Sequence, residues 1–515
     1  MTRKWSEEMT SARWCSPLRR VWAAWMFLAL AAVAGARPFI VLVYNVENLF
    51  DADGVAAFED YHPARYSRAH VLTKLRNVTE IVAQFEGGRG PDVILFQEIE
   101  ADQTPGKTAP EYEAMLKRYA GVKLEEMLGA KFDEAVADWP AEALLLKAFE
   151  ERGLTGYEVI AAENVRGAGS RNPLGQKCVT FTRFPVKDAR SHPTLDARAI
   201  LEVQVEVEGA TVYLFNNHWK SGAGDAETEK ARVENARTLR GRLEEILKAD
   251  RNADVIVGGD FNSHYNQKRR YPKMGDTGIN DVLGSQGNEL AVRGEQRDLY
   301  NLWFELPAEE RGSDTYQGEW GTLMQLMVSR GLYDYRGVQY VDNSFGVAKV
   351  PGLNVDAKGL PVRWTFLGET GAGFSDHFPI YAKFVMVKDG RTDRWVALRN
   401  ASTERSIEAE ARRIDYGKIE VEKVALRAEQ LGEGAKLRVP GNLGKIVRVE
   451  GNVGPGKRLT VSFLGDVYDV WSFDATLRDK LRAEYEEGET MRFYGELGQH
   501  RERWQFVIHD AAWVR

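Results

Sequence analysis

Cysteine is nearly absent from this chain. Of 515 residues only 2 are cysteine. Cys15 lies in the N-terminal segment, which leaves Cys178 alone and excludes an internal disulfide framework. Cys178 falls in the strand-like run Lys177–Phe181 and reads as a small buried hydrophobe rather than a nucleophile. No sign of charge dominates: 69 Lys and Arg against 76 Asp and Glu give a net charge of -7. That balance gives no support for generalised attraction to nucleic acid or anionic membrane and leaves room for a local basic surface. There is no Walker A loop, no GxGxxG after a strand and no GxSxG, so P-loop, dinucleotide-binding and serine-hydrolase chemistry are not supported. Zinc-type Cys/His spacing, internal repeats and low-complexity tracts are missing as well.

Long hydrophobic runs are also scarce, and the one that stands out is informative. Arg19 and Arg20 precede Val21–Val33, and Ala34-Gly35-Ala36 follow with small residues suited to a cleavage site. The run has roughly thirteen residues, the length of a signal h-region, where a spanning helix needs about 20. Residues 1–36 are therefore expected to be a signal peptide, with a secreted or periplasmic mature protein that keeps no stable membrane anchor. The flanks of Arg19-Arg20 do not match a twin-arginine signal.

A chain of 515 residues suggests two or three domains. From Phe39 to about Val387, β-runs alternate with helical stretches. Strands are expected at Phe39–Tyr44, Val93–Phe96, Cys178–Thr182, Ala199–Val207, Val212–Asn216, Val255–Val257, Leu323–Ser329 and Ile380–Val385. Helices are expected at Val71–Phe85 and Glu227–Leu247. The pattern is that of a mixed α/β protein with helix-covered sheets, spanning 37–388. A helix-rich stretch, Asp102–Tyr157, reads either as a lid at the mouth of a site or as a plain insertion. Residues 389–416, charged and without an apolar stripe, read as a helical linker. Short strands with one interposed helix, Ala475–Tyr485, then suit a small closed OB-fold-like barrel over 417–515, beginning with a strand at Ala435–Val439.

Several strands end on polar residues of catalytic type. Val41–Asn45 leads into Glu47, Val93 leads to Glu98, Val212 leads through Asn217 to His218, Val255 leads to Asp260 and Asn262, and Phe374 leads to Asp376 and His377. Desolvating such groups costs several kcal/mol unless they are paired, hydrogen-bonded or metal-bound, so a shared site is implied. Asn45 and Glu98, with Asp376, offer the oxygen ligands that Mg²⁺ prefers. Asp260 and Asn262 alternate along an extended segment and so share a face; the first can prepare a water, the second can hold an oxyanion. A polar turn after a buried strand is the competing reading of that pair. His377 and His218 are placed for proton exchange near neutral pH. His264 lies close to Asn262 without a clear role, and His62, His192, His500 and His509 read as surface or structural. Together these parts suit attack by an activated water on phosphorus.

The wording and order of YNVENLFD (Tyr44–Asp51), PDVILFQEIE (Pro91–Glu100), NHWKSG (Asn217–Gly222), GGDFNS (Gly258–Ser263) and SDHFPI (Ser375–Ile380) resemble the endonuclease/exonuclease/phosphatase family, the DNase I-like metal-dependent phosphoesterases. The resemblance covers Phe39 to Val387 and implies a four-layer α/β/β/α sandwich. It further implies Mg²⁺, with Mn²⁺ or Ca²⁺ as alternatives, held by Asn45 and Glu98 with Asp376 assisting and Glu47 as an occasional ligand. His218, Asp260, Asn262 and His377 become the catalytic residues, with Lys220 and Ser221 near the phosphate. Nucleic acid is the expected substrate; a lipid or small-molecule phosphodiester, or a catalytically weakened binding protein, are the alternatives.

One position departs from the family. Where an acid usually orients the histidine of SDH, the stretch Leu323–Ser329 places Met324. An apolar neighbour cannot stabilise a charged imidazole, so either the rate is lowered or another carboxylate, Asp314 or Glu319, takes over. The basic run Lys268-Arg269-Arg270 reads as a grip on a phosphate backbone or as a solvated loop. In the C-terminal region Phe463, Tyr468, Trp471, Phe493 and Trp504 could stack on bases, giving that module a possible nucleic-acid contact. Acidic and basic residues are roughly balanced there, however, where a strand-binding groove should be basic.

Overall fold

Alternation along the first strand decides the layering. In Phe39–Leu49, Val41 and Val43 face one way, Leu42 and Tyr44 the other, and all four are fully buried. A strand buried on both faces belongs inside a multilayered sandwich. The computed structural model describes residues 37–104, 111–163, 174–294, 297–366, 368–387, 412–431, 437–500 and 503–515. The expected signal peptide, and residues 389–411 of the expected linker, lie outside the described residues. No described helix is long and apolar enough to cross a membrane.

Two sheets form the body. The first runs Gly337–Tyr340, Ile380–Val387, Phe39–Leu49, Val93–Glu100, Gln176–Thr182, Glu158–Ala161. The second runs Val186–His192, Ile200–Val207, Ala210–His218, Asp254–Asp260, Met324–Val328, Leu299–Asn301, Ser285–Gln286. Val41, Val43, Leu95, Leu214, Ile256 and Leu326 share the core between them. Outside the first sheet, Leu42, Tyr44 and Phe96 pack under Leu75 and Val78 of the Arg68–Val82 helix and Leu145 and Phe149 of the Ala141–Glu151 helix. Outside the second, Phe215, Val255 and Val257 pack under Leu239 and Leu243 of the Ala226–Ala249 helix. This is the α/β/β/α order the sequence implies. Cys178 sits between the sheets, where burial pushes its thiol up to about 12, the behaviour of an inert core residue.

Each sheet has a parallel pair at its centre. Phe39–Leu49 runs with Val93–Glu100 in the register Asn45↔Gln97, and Ala210–His218 runs with Asp254–Asp260 in the register His218↔Asp260. Parallel strands end at the same edge. The polar strand ends of both sheets consequently meet at one end of the sandwich.

The second sheet also buries a charge. Glu202 accepts from Arg242 Nε at 2.8 Å, Arg242 Nη2 at 2.9 Å and His192 Nε2 at 2.8 Å. Burial alone would raise its carboxyl, but these partners pull it down to about 2. A depressed carboxylate contributes stability above its unfolded value near 4.5, and loses it as pH falls through about 2. Glu202→Gln should therefore destabilise the fold by about 2 kcal/mol at pH 7. Urea unfolding at pH 7 and pH 3 checks this; the gap between variant and native should narrow at the lower pH.

The described residues of the Asp102–Tyr157 stretch pack into the outer core instead of covering the cleft. Helices Tyr112–Arg118 and Leu124–Met127 are separated in it around Gly121, whose φ is +77°. Met115, Leu124, Met127 and Leu144 join the outer core, and buried Glu142 holds Lys177 at 2.8 Å. None of the described residues of this stretch lines the cleft described below.

At the C-terminus Ile446–Val453, Thr460–Phe463, Asp466–Trp471, Arg503–Val507 and Thr490–His500 close into a barrel, in that order. The Ala475–Glu484 helix stands in the chain between Asp466–Trp471 and Thr490–His500, capped by the Asp474 side chain on the Thr476 and Leu477 amides. This is an OB-like arrangement. Leu437–Val439 is not a strand, and residues 435–436 lie outside the described residues. Phe463, Tyr468 and Phe493 belong to the barrel core, which removes them as base platforms; Trp471 and Trp504 remain half-buried.

The described end of the linker is extended rather than helical. Trp320 N donates to Arg412 O at 2.8 Å, Ile414 N to Gly318 O at 2.8 Å, and Glu319 bridges Arg413. Arg412–Ile414 thereby lies as a third strand on the Asp314–Tyr316/Glu319–Gly321 hairpin. On the barrel side, Tyr416 stacks on His509 at 4.2 Å, and Lys358 of the sandwich pairs with Glu496 of the barrel at 2.8 Å.

Candidate active site

The edge where the parallel pairs end opens into a cleft of ≈ 870 Å³. Glu98, His218, Asp260, Asn262, Asp376 and His377 line it. Asn45 lies in its floor, where Nδ2 donates to Glu98 Oε1 at 2.9 Å and to Asp260 Oδ2 at 3.0 Å, while Oδ1 accepts the Glu47 amide at 3.0 Å. One amide thus ties the first sheet's carboxylate to the second's. All seven expected site residues come together.

The backbone is bent to achieve this. Glu47, Asn48, Glu98 and Asn262 have φ of 50°, 64°, 63° and 46°, in the left-handed region that non-glycine residues seldom enter. Such strain clusters where side chains must be aimed at a site. Register shifts between Asn45 and Leu49, and between Phe96 and Ile99, are its counterpart in the ladder. Gly259, at φ +140°, passes so close to the next strand that a Cβ would lie 2.1 Å from Asn217 O. The glycine before Asp260 is a packing necessity.

Charge sets the two histidines apart. His218 Nε2 lies 3.8 Å from Glu98 Oε1 and 3.9 Å from Asp260 Oδ2. Burial, with the cations Arg198 and His377 nearby, holds its imidazole well below the usual value, so it is neutral at pH 7. His377 Nε2 lies 3.6 Å from Asp376 Oδ1 and 3.8 Å from Asp260 Oδ2. Burial would depress this ring too, but Asp376, Asp260, Asp314 and Glu98 outweigh it and lift His377 to about 9. Ser375 fixes the turn: its Oγ donates to Asn45 O at 2.7 Å and accepts the His377 amide at 3.1 Å.

The acids respond in the same way. Burial and then Asp376 push Glu98 up, and the same two causes take Glu47 to about 7. Glu47 accepts the Trp364 amide at 2.7 Å and, with Asp376, faces Arg363. Glu98, His218 and Asp260 each offer a ligand atom within 4.8 Å of the others. Hard carboxylate oxygens with one imidazole are a donor set that fits a divalent cation. Such an ion would reverse the upward push on Glu98.

Other expected residues take lesser positions. Asn262 donates to Trp219 O at 3.1 Å, and its amide donates to Asp260 Oδ1 at 2.8 Å. Asn217 supports the strand ends through Phe215 O and Gly258 O. Ser221 is in the cleft lining and Lys220 is not. His264 is buried in the wall, its Nδ1 accepting the Thr322 amide at 3.2 Å. Within the basic run only Arg270 reaches the cleft, held by Trp320 O and Glu319; Lys268 is paired with Asp276 and Asp281.

Met324 is fully buried opposite Asp260 and leaves the acid position apolar. Asp314 supplies a carboxylate from the neighbouring hairpin. Its backbone pairs with His377, its Oδ1 accepts the Leu323 amide at 3.1 Å, and it lines the cleft. Gly321 makes room for it, since a Cβ there would lie 1.8 Å from Asp314 Oδ2. Arg198, Arg363, Asn48 and Tyr316 also line the cleft without a warning in the sequence. Arg198 precedes a strand instead of ending one, and Arg363 and Tyr316 come from loop and hairpin positions with no periodic pattern.

A family model described as endonuclease/exonuclease/phosphatase family matches residues 177–386. No curated protein matches the chain. Among solved structures, truncated TDP2 of Caenorhabditis elegans aligns at 14% identity and TM-score 0.36, over 68% of this chain and 98% of its own. An endonuclease/exonuclease/phosphatase of Beutenbergia cavernae aligns at 13% identity and TM-score 0.39, over 68% and 72%. D. rerio TDP2 complexed with a single-strand DNA product aligns at 15% identity and TM-score 0.35, over 67% and 98%. With its motifs gathered in one cleft and residues 177–386 matched by the family model, the sandwich domain is similar to the endonuclease/exonuclease/phosphatase family, a family of metal-dependent hydrolases.

Proposed function

We propose that the protein is an exported, Mg²⁺-dependent phosphodiesterase that hydrolyses nucleic acid. The observation that carries this reading is the convergence of Asn45, Glu98, His218, Asp260 and His377 from two sheets on one cleft. A divalent ion held at Glu98, with Asn45 and Asp376 beside it, would neutralise charge developing on the phosphate. His377, protonated at neutral pH, donates to a phosphate oxygen. His218, neutral, serves as a hydrogen-bond donor to the same group rather than as the acid for the leaving oxygen. Asp260, fixed by Asn45 and the Asn262 amide, is the group that orients and deprotonates the attacking water. Arg198 and Arg363 give the cleft its positive share for a polyanion. Export rests on the reading of residues 1–36 as a cleaved signal.

Purified protein and Asp260→Ala, incubated with single- and double-stranded DNA and RNA in Mg²⁺ or EDTA, test the proposal. Cleavage should require Mg²⁺ and disappear in the variant. If no nucleic acid is cut under any condition, the nuclease reading falls.

A further inference from the structure

Tyr316 is 74% exposed, one of the most exposed large side chains described, yet it lines the catalytic cleft. It sits two residues along a strand from Asp314, so both side chains leave the same face. Two residues of strand span about 7 Å, which sets the ring at the mouth while Asp314 stays in the floor. The turn beside it, Gln317 at φ 49° and Gly318 at φ 82°, holds the ring at the hairpin tip. Arg412–Ile414 stiffens that hairpin from outside. Across the cleft, Phe58 exposes 37% of its surface and rests against Phe50 at 5.6 Å.

We infer that Tyr316 is a stacking platform for an unpaired nucleobase next to the scissile phosphate, which makes single-stranded nucleic acid the preferred substrate. This rests on the nuclease reading above. An aromatic face stacks on any base, but only on one whose own face is free; in a duplex both faces are covered. The reacting groups are also recessed, with His218 and Asp260 each only 2% exposed, so a flexible strand reaches them more readily than a rigid duplex. The lining sets the aromatics Tyr316 and Phe58 among charged residues such as Arg270, Glu319 and Arg363. A lipid tail would want a continuous apolar surface instead.

The test uses the full chain, with Tyr316→Ala and Tyr316→Phe, on a single-stranded oligonucleotide, its duplex and the same strand carrying abasic sites, with bis(p-nitrophenyl) phosphate as a readout of phosphodiester hydrolysis. Tyr316→Ala should lower kcat/KM on the single strand by about tenfold, largely spare the abasic strand, which has no base to stack, and be rescued by Tyr316→Phe. In parallel, fluorescence anisotropy of a labelled oligothymidylate in EDTA should show weaker binding to Tyr316→Ala by a similar factor. Equal single-strand kinetics and equal binding in the two proteins, or a native preference for duplex, would overturn the inference while leaving hydrolysis of the chromogenic diester intact. If the native protein hydrolyses neither the oligonucleotides nor the diester, the phosphodiesterase reading is what fails, and the anisotropy arm still decides on Tyr316.

Discussion

Asp260→Asn is expected to lower turnover by about a thousandfold, within the range that a lost general base produces, with little change in melting temperature. Asp260 touches both halves of the cleft: it takes Asn45 Nδ2 at 3.0 Å and stands 3.9 Å from His218 and 3.8 Å from His377. Asparagine has the same shape, and its oxygen can keep the Asn262 amide. What it loses is the charge that accepts a proton from water and helps to hold His377 protonated. Its amide would also confront the Asn45 amide, donor against donor. Steady-state rates on bis(p-nitrophenyl) phosphate, with thermal melts of both proteins, check the expectation. A rate within tenfold of native would remove Asp260 from the chemistry.

The second large effect concerns the displaced acid. Activity that depends on protonated His377 is present below its pKa and lost as pH rises through about 9. The carboxylates that sustain that value are Asp376, Asp260, Asp314 and Glu98, against the opposing effect of burial. Asp314→Asn removes one of them, so the alkaline limb of the rate profile should move to lower pH. A shift of one unit costs about tenfold in the active fraction above the pKa. A lost cleft wall would depress the rate at every pH and leave the limb in place. Rate profiles from pH 6 to 10 for native and variant tell the two apart, and an unmoved limb would mean that Asp314 does not replace the acid missing at Met324.

How much of this could be read from the sequence follows from what leaves a local pattern. Val41 to Asn45, Val93 to Glu98 and Val255 to Asp260 announce themselves because an apolar run ending on a polar group is costly to bury without purpose. The helices at 68–82 and 226–249 show their apolar stripes. The helix interposed in the barrel lies where it is expected, while the strand expected at Ala435–Val439 does not form at Leu437–Val439. Tyr316 and Arg198 leave no such trace: each sits where a short hairpin or a strand start meets the cleft, and only the three-dimensional path brings them in. The barrel aromatics mislead for the converse reason. Composition shows that Tyr468 and Phe493 are aromatic, but not whether a closed barrel turns them inward. Met324 warns of a missing acid, and the sequence narrows the substitute to Asp314 or Glu319 without deciding between them.

The extended strand Arg412–Ile414 makes the boundary between the two domains something other than a hinge. It is bonded to the hairpin that carries Asp314 on one side, and two residues later Tyr416 is clamped by the barrel's His509 and Trp513. Cutting the chain after Val387 would leave that hairpin with two strands and a bare edge, an arrangement of marginal stability in water. The isolated sandwich would therefore keep its fold and its cation ligands while one wall of its cleft loosened. A force or a ligand that draws the barrel aside would pull on the same wall. In this protein the second domain is tied to the hairpin of the first through that strand, and a fragment ending at Val387 is expected to have a looser cleft wall than one that includes the barrel.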